Sequence, residues 1–240
     1  LRKEIVKYTK DRFQLDYDIN SVLVTVGGSE AIDGCMRALI NPGDEVLIPE
    51  PSFVCYAPIT SLCGGVPVIL NTTEENNFRL TKEELKSKIT KKSKLLILPY
   101  PNNPTGAIMQ KEDLEKIAEV LSETDIFILS DELYAELTYE GSHCSIANLQ
   151  GMQDRTVIVS GFSKAFAMTG WRLGYALGPS EIIAAMTKIH QYAIMSAPTN
   201  AQYAAIEALQ SGEEDVLYMK NEYDTRRKFI LNSLKKIDIE

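Results

Sequence analysis

The sequence predicts an α/β protein in three layers, α/β/α, built on a mostly parallel sheet of about seven strands. Three observations carry this. Short apolar runs rich in β-branched residues recur along the chain, and helix-period segments of roughly 10–15 residues separate most of them. The composition, 45% hydrophobic and 24% charged, is that of a soluble globular protein. At roughly 150 residues per domain, 240 residues leave room for one to two domains. No repeat, linker or low-complexity stretch divides them, so residues 1–240 read as one unit.

Taken in order, helical spacing covers 2–13, and the first strand covers 22–26. Gly27-Gly28-Ser29-Glu30 then opens a helix over 29–40, which Asn41-Pro42-Gly43-Asp44 ends and turns toward a strand at 45–48. A helix over 53–63 and a strand at 66–70 follow. Thr81 with Glu84 forms the Ser/Thr-x-x-Glu capping box of a helix over 81–89. Strands at 95–98, 126–129, 157–159 and 173–177 alternate with helices over 111–121 and 181–192. From 201 to 236 no strand signal remains. Two helices are expected there, broken near Ser211-Gly212, the second leaving the sheet at about Glu213 toward another domain.

Charge excludes some functions. With 25 basic and 33 acidic side chains the net charge is −8, which repels nucleic-acid phosphates and anionic membranes. The only two histidines, His143 and His190, rule out a histidine-rich metal site, so no metal is expected. Four cysteines without a CxxC pair read as reduced thiols of a cytoplasmic protein. No apolar run reaches the roughly 18 residues of a membrane helix. The first residue is Leu1 and not methionine, so the sequence reads as trimmed.

In open α/β sheets ligands bind beyond the carboxyl ends of the strands. The turn Gly27–Glu30 offers free amides at a helix N-terminus and suits a phosphate, but an ordinary glycine turn capped by Ser29 looks the same. Residues 99–106, Pro-Tyr-Pro-Asn-Asn-Pro-Thr-Gly, form a shaped loop, either holding an amide toward a ligand or merely rigid. Asp131, just past a buried strand, is either an N-cap or the partner of a positive group. Lys164 lies in an unusually apolar stretch, where desolvation disfavours its ammonium and favours a nucleophilic amine; most lysines are instead solvated.

Five segments, GGSEA at 27–31, PEPSFVCY at 49–56, NNPTG at 102–106, SDELY at 130–134 and SGFSKAFAMTGWRLGY at 160–175, resemble in order and spacing the class I/II aminotransferases, fold type I pyridoxal-phosphate enzymes. The resemblance spans about residues 1–209. It implies a pyridoxal 5'-phosphate cofactor held by Lys164 as a Schiff base, with Lys164 also shuttling the α-proton. It further implies that Asp131 pairs with the pyridine nitrogen and that Asn103 and Tyr134 hydrogen-bond the ring's phenolate oxygen. Phe53 stacks on the ring, and Arg172, Ser163, Gly28 and the amides of Ser29 and Glu30 hold the phosphate. The implied substrates are an α-amino acid and a 2-oxo acid. The implied assembly is a homodimer with residues 196–200 near its interface.

There are departures. Many relatives carry serine where this chain has Gly161, so one phosphate contact is either lost or passes to Ser160. Phe53 lacks the polar handle of the more usual Trp or Tyr. Family members also have an N-terminal arm before the position of Leu1, and a C-terminal small domain carrying the arginine for the substrate α-carboxylate. The chain thus reads as the cofactor-binding large domain, inactive alone, with a helix over 213–240 leading toward the small domain. A β-lyase or other α-carbon reaction, or a non-catalytic pyridoxal-phosphate sensor within a regulator, are the competing readings.

Overall fold

The computed structural model describes residues 1–237. Seven strands form one sheet: β1 (Val22–Thr25), β2 (Glu45–Glu50), β3 (Val66–Asn71), β4 (Ser93–Leu98), β5 (Phe127–Asp131), β6 (Thr156–Gly161) and β7 (Gly174–Leu177). Their order is β1-β7-β6-β5-β4-β2-β3. β3, β2, β4, β5 and β6 pair in parallel, and β7 runs antiparallel to both β6 and β1. The exception has a local cause. Between β6 and β7 there is only a loop with a single 3₁₀ turn, Thr169–Trp171, and without a crossover helix the chain returns in the opposite direction.

Among the described residues there are eight α-helices: α1 (Arg2–Phe13), α2 (Gly28–Leu39), α3 (Tyr56–Leu62), α4 (Lys82–Lys88), α5 (Lys111–Ser122), α6 (Ser180–Ala193), α7 (Thr199–Ser211) and α8 (Glu213–Lys235), the last contacting α7 and the turn Ala135–Leu137. Side-chain alternation along β4 shows how the layers are set. Leu95 and Ile97 pack with Ile32 and Met36 of α2 and Met186 of α6, whereas Leu96 and Leu98 pack with Leu85 of α4 and Ile117 of α5. On the second face α1 and α7 cover β6, β7 and β1 through Ile5, Ala201 and Ala205. The three-layer α/β/α expectation is met.

Two boundaries shift. The helix expected from Phe53 begins only at Tyr56: residues 54–55 form a turn, and Phe53 before it lines a cleft. β2 continues past Ile48 through Pro49 to Glu50. The last β2–β4 pair is Leu47 with Leu96, so the missing proline N–H breaks no bond on that side, and Pro67 lies on the edge strand β3. The α7–α8 break falls at Gly212, where a Cβ would lie 2.6 Å from the Ala208 carbonyl oxygen. Of the helix expected over 213–240, α8 covers all but the end, and 238–240 lie outside the described residues. Among the described residues no helix is long and apolar enough to cross a membrane, and no cluster of His, Cys, Asp or Glu could hold a metal.

Candidate active site

The carboxyl ends of β1, β4, β5 and β6 deliver their loops to one cleft. After β1, Gly27 has φ +81°, a conformation glycine adopts without a Cβ penalty. A Cβ there would lie 2.6 Å from Arg172 Nη2, and one on Gly174 would lie 2.6 Å from the Gly27 carbonyl carbon. Residues 27–28 and 172–174 therefore approach this closely only because Gly27 and Gly174 lack a Cβ, making a cup of backbone at the start of α2 with a guanidinium over it. Arg172 donates from Nη1 to the Thr169 carbonyl at 3.0 Å.

Beyond β4 the two asparagines divide the alternatives left by the loop. Asn102 is buried and structural: Oδ1 accepts from Thr105 N–H at 3.1 Å and Thr105 Oγ1 at 2.8 Å. Asn103 lines the cleft.

Asp131 is the last residue of β5. Its Oδ2 accepts from Tyr56 Oη at 2.8 Å and its Oδ1 from Leu133 N–H at 3.2 Å. Burial pushes its carboxyl above the usual carboxylate range, and these two donors only partly offset that. The turn after Asp131 is braced from both sides. Buried Glu132 accepts from Ser130 Oγ at 2.8 Å and Ser145 Oγ at 2.6 Å, and pairs with His143 Nε2 at 2.7 Å. Glu136 accepts from Arg12 Nε and Nη2, each at 2.8 Å, and from Tyr8 Oη at 2.6 Å. Between these anchors stands Tyr134, with Lys164 Nζ 5.5 Å from its ring centroid.

After β6, Phe162 is fully buried against Phe166 and Tyr175, at centroid distances of 5.5 Å and 5.8 Å. This knob turns Ser163 and Lys164 to the cleft, and Thr169 Oγ1 closes the loop onto the Ser163 carbonyl at 2.7 Å. Lys164 is half-buried, not sealed in as its apolar neighbours suggested, because the cleft itself opens beside it.

Of the sequence-predicted residues, Gly28, Ser29 and Phe53 border this cleft. So do Asn103, Asp131, Tyr134, Ser163, Lys164 and Arg172. Glu30 is not among the lining residues: its carboxylate reaches back to the Val26 N–H and to His190 Nδ1. Ser160 does not line the cleft either, and a Cβ at Gly161 would meet Gly174 Cα at 2.8 Å, so position 161 has no room for a side chain. Sequence reading missed Tyr56 as the donor to Asp131. Its one signal was its place closing the PEPSFVCY segment.

The charges of the cleft are separated and complementary to one compact anionic aldehyde. Neither Lys164 nor Asp131 forms an ion pair among the described residues. Lys164 and Asp131 both line the cleft, and the cup under Arg172 suits a phosphate. This donor set fits pyridoxal phosphate.

Comparison with known proteins agrees. The family model "Aminotransferase class I and II" matches residues 1–240, and the chain belongs to that family. It is 50% identical over its whole length to YugH of Bacillus subtilis (strain 168), a chain whose name offers it as an aminotransferase, covering 62% of that relative. It is 44% identical to an aspartate aminotransferase of Pyrococcus abyssi, across 100% of this chain and 62% of the other. The crystal structure of an aromatic aminotransferase from Pyrococcus horikoshii OT3 superposes with a TM-score of 0.96 at 43% identity, over 99% of this chain and 65% of that one. The chain thus spans about three-fifths of the length of the curated relatives it matches.

Proposed function

We propose that the protein is a pyridoxal-phosphate-dependent aminotransferase moving an amino group between an α-amino acid and a 2-oxo acid. The observation that carries this reading is the convergence on one cleft of an amine and a half-buried carboxyl, neither in an ion pair among the described residues, and an arginine-covered glycine cup. Bound there, pyridoxal phosphate supplies an aldehyde for amines and a protonated ring that withdraws electrons.

The chain's residues divide the remaining work. Lys164 Nζ, at the cleft, would hold the cofactor at its aldehyde end and, when free, would take and return a proton as general base and acid. Asp131, braced by Tyr56, holds the proton on the ring nitrogen, where a neighbouring carboxylate favours the charged form. Phe53 would cover a ring face, and Asn103 and Tyr134, which line the same cleft, would donate to the ring oxygen. Arg172, Ser163 and the amides of the Gly28–Ser29 turn hold the phosphate. The bonds that anchor Glu132 and Glu136 brace the turn that follows Asp131 and carries Tyr134, which limits the freedom of both side chains at the cleft.

Three assignments accompany this reading. The protein is a homodimer, supported by apolar side chains left in water at Tyr192, Met195 and Tyr203. It is cytoplasmic, supported by four free cysteines. α8 leads to a further domain, supported by exposed Phe229, Ile230 and Leu231.

Borohydride reduction of the cofactor-loaded protein followed by peptide mapping tests the function. The phosphopyridoxyl group is expected on Lys164. A label on another lysine with Lys164 unmodified overturns the assignment.

A further inference from the structure

The cup that faces the phosphate is held from behind by a pair that does not touch the cleft. Glu30 stands in the first turn of α2, two residues after Gly28. One of its carboxylate oxygens accepts from the N–H of Val26, the residue that leads into Gly27. The other pairs with His190 Nδ1 of α6 at 2.6 Å. Both side chains are largely buried, His190 at 9% and Glu30 at 18% exposure. An ionised carboxylate only accepts, so Nδ1 carries the hydrogen.

This arrangement combines two opposed effects. Glu30 pins the backbone just before the cup, and so fixes where the Gly28 and Ser29 amides point. The same carboxylate places a negative charge one residue from the amides that receive an anion, and without compensation it repels that anion. A buried partner that donates to the carboxylate lowers that repulsion, and His190 is that partner.

We propose that His190 and Glu30 form a positioning pair that sets the affinity of the cup for the cofactor's phosphate, with His190 offsetting the charge of the carboxylate that orients the cup. The proposal rests on the reading of the cleft as a pyridoxal-phosphate site. It concerns the phosphate end alone, which separates it from a general role in stability.

The full-length protein is titrated by absorbance with pyridoxal 5'-phosphate and with phosphate-free pyridoxal, after melting curves on every variant. In His190→Phe the dissociation constant for pyridoxal phosphate rises on the order of tenfold, about 1.4 kcal/mol, while that for pyridoxal stays within about twofold. His190→Asn, which keeps a donor near the place of Nδ1, recovers most of the loss. Adding Glu30→Gln to His190→Phe also recovers it, because the uncompensated charge is gone. Equal weakening of both ligands, no weakening, or failure of His190→Phe to fold makes the pair a purely structural contact and overturns the proposal. If the wild-type protein takes up no pyridoxal phosphate, the reading of the cleft fails instead.

Discussion

Asp131 illustrates how far a single residue can be read. Its place just past a buried strand marks it as a desolvated carboxyl in need of a partner, and the SDELY context resembles the family's. What its position along the chain could not reveal is Tyr56, which lies 75 residues away and donates to it at 2.8 Å. That donor favours the ionised form and works against burial, so Tyr56→Phe is expected to push the Asp131 carboxyl further up. Losing about 1 kcal/mol of hydrogen bonding corresponds to roughly fivefold in the rate of α-proton abstraction. Asp131→Ala is expected to lose on the order of a hundredfold, the equivalent of about 2.7 kcal/mol for a 2-unit shift at the ring nitrogen. Single-turnover kinetics of the full-length protein check both, and wild-type rates in Asp131→Ala refute the role.

At the scale of elements, the 3₁₀ turn Ala135–Leu137 is bound to α1 through Glu136, Arg12 and Tyr8. Burial raises the Glu136 carboxyl, but the bonds from Arg12 and Tyr8 outweigh it and leave the group below its ordinary value. A carboxyl lowered on folding contributes stability that is present above the ordinary glutamate range and is lost as pH falls through the folded value. Arg12 is 45% exposed, so solvent screening keeps the effect modest, and Arg12→Ala is expected to cost about 1–2 kcal/mol at neutral pH. Thermal melts between neutral and acid pH test this. The difference between wild type and Arg12→Ala shrinks toward acid, and a difference that grows there contradicts the assignment.

The charge and surface of the whole molecule bear on assembly and turnover. Tyr192, Met195 and Tyr203 are 93%, 81% and 72% exposed, a set of large apolar side chains that a monomer leaves in water. Light scattering of the intact protein is expected to give twice the chain mass, and a single-chain mass refutes the dimer. The cleft's only cations among the described residues are Lys164 and Arg172, both already assigned to the cofactor. Arg227, on α8 beside the adjoining cavity, is tied to Asp224 and Glu140. Among the described residues, a substrate carboxylate therefore finds no free guanidinium in this cleft. These 240 residues alone are expected to take up pyridoxal phosphate yet transaminate far below an intact aminotransferase, since one bidentate charged contact is worth roughly 2–5 kcal/mol of binding. Cofactor absorbance and transamination of an amino-acid panel, measured on one sample, test both halves. Rates comparable to an intact aminotransferase place the carboxylate clamp within these residues.

By itself the sequence determined the layered α/β architecture, because strand and helix periods are local and alternate along the chain. It also marked the loops that line the cleft, because glycines, prolines and the flanks of Lys164 are local signals. The antiparallel course of β7 was decided only in three dimensions, since direction depends on whether a crossover fills the connection. The start of α3 was decided there too, since a turn at 54–55 separates Phe53, which lines the cleft, from the helix its spacing suggested. Pairs distant in sequence were likewise invisible: Tyr56 with Asp131, Arg12 with Glu136, and His190 with Glu30. Glu30 shows the difference most clearly. Its neighbours in the chain place it at the phosphate turn, and only the packing of α6 on α2 turns its carboxylate away from the cleft and onto a histidine 160 residues further along.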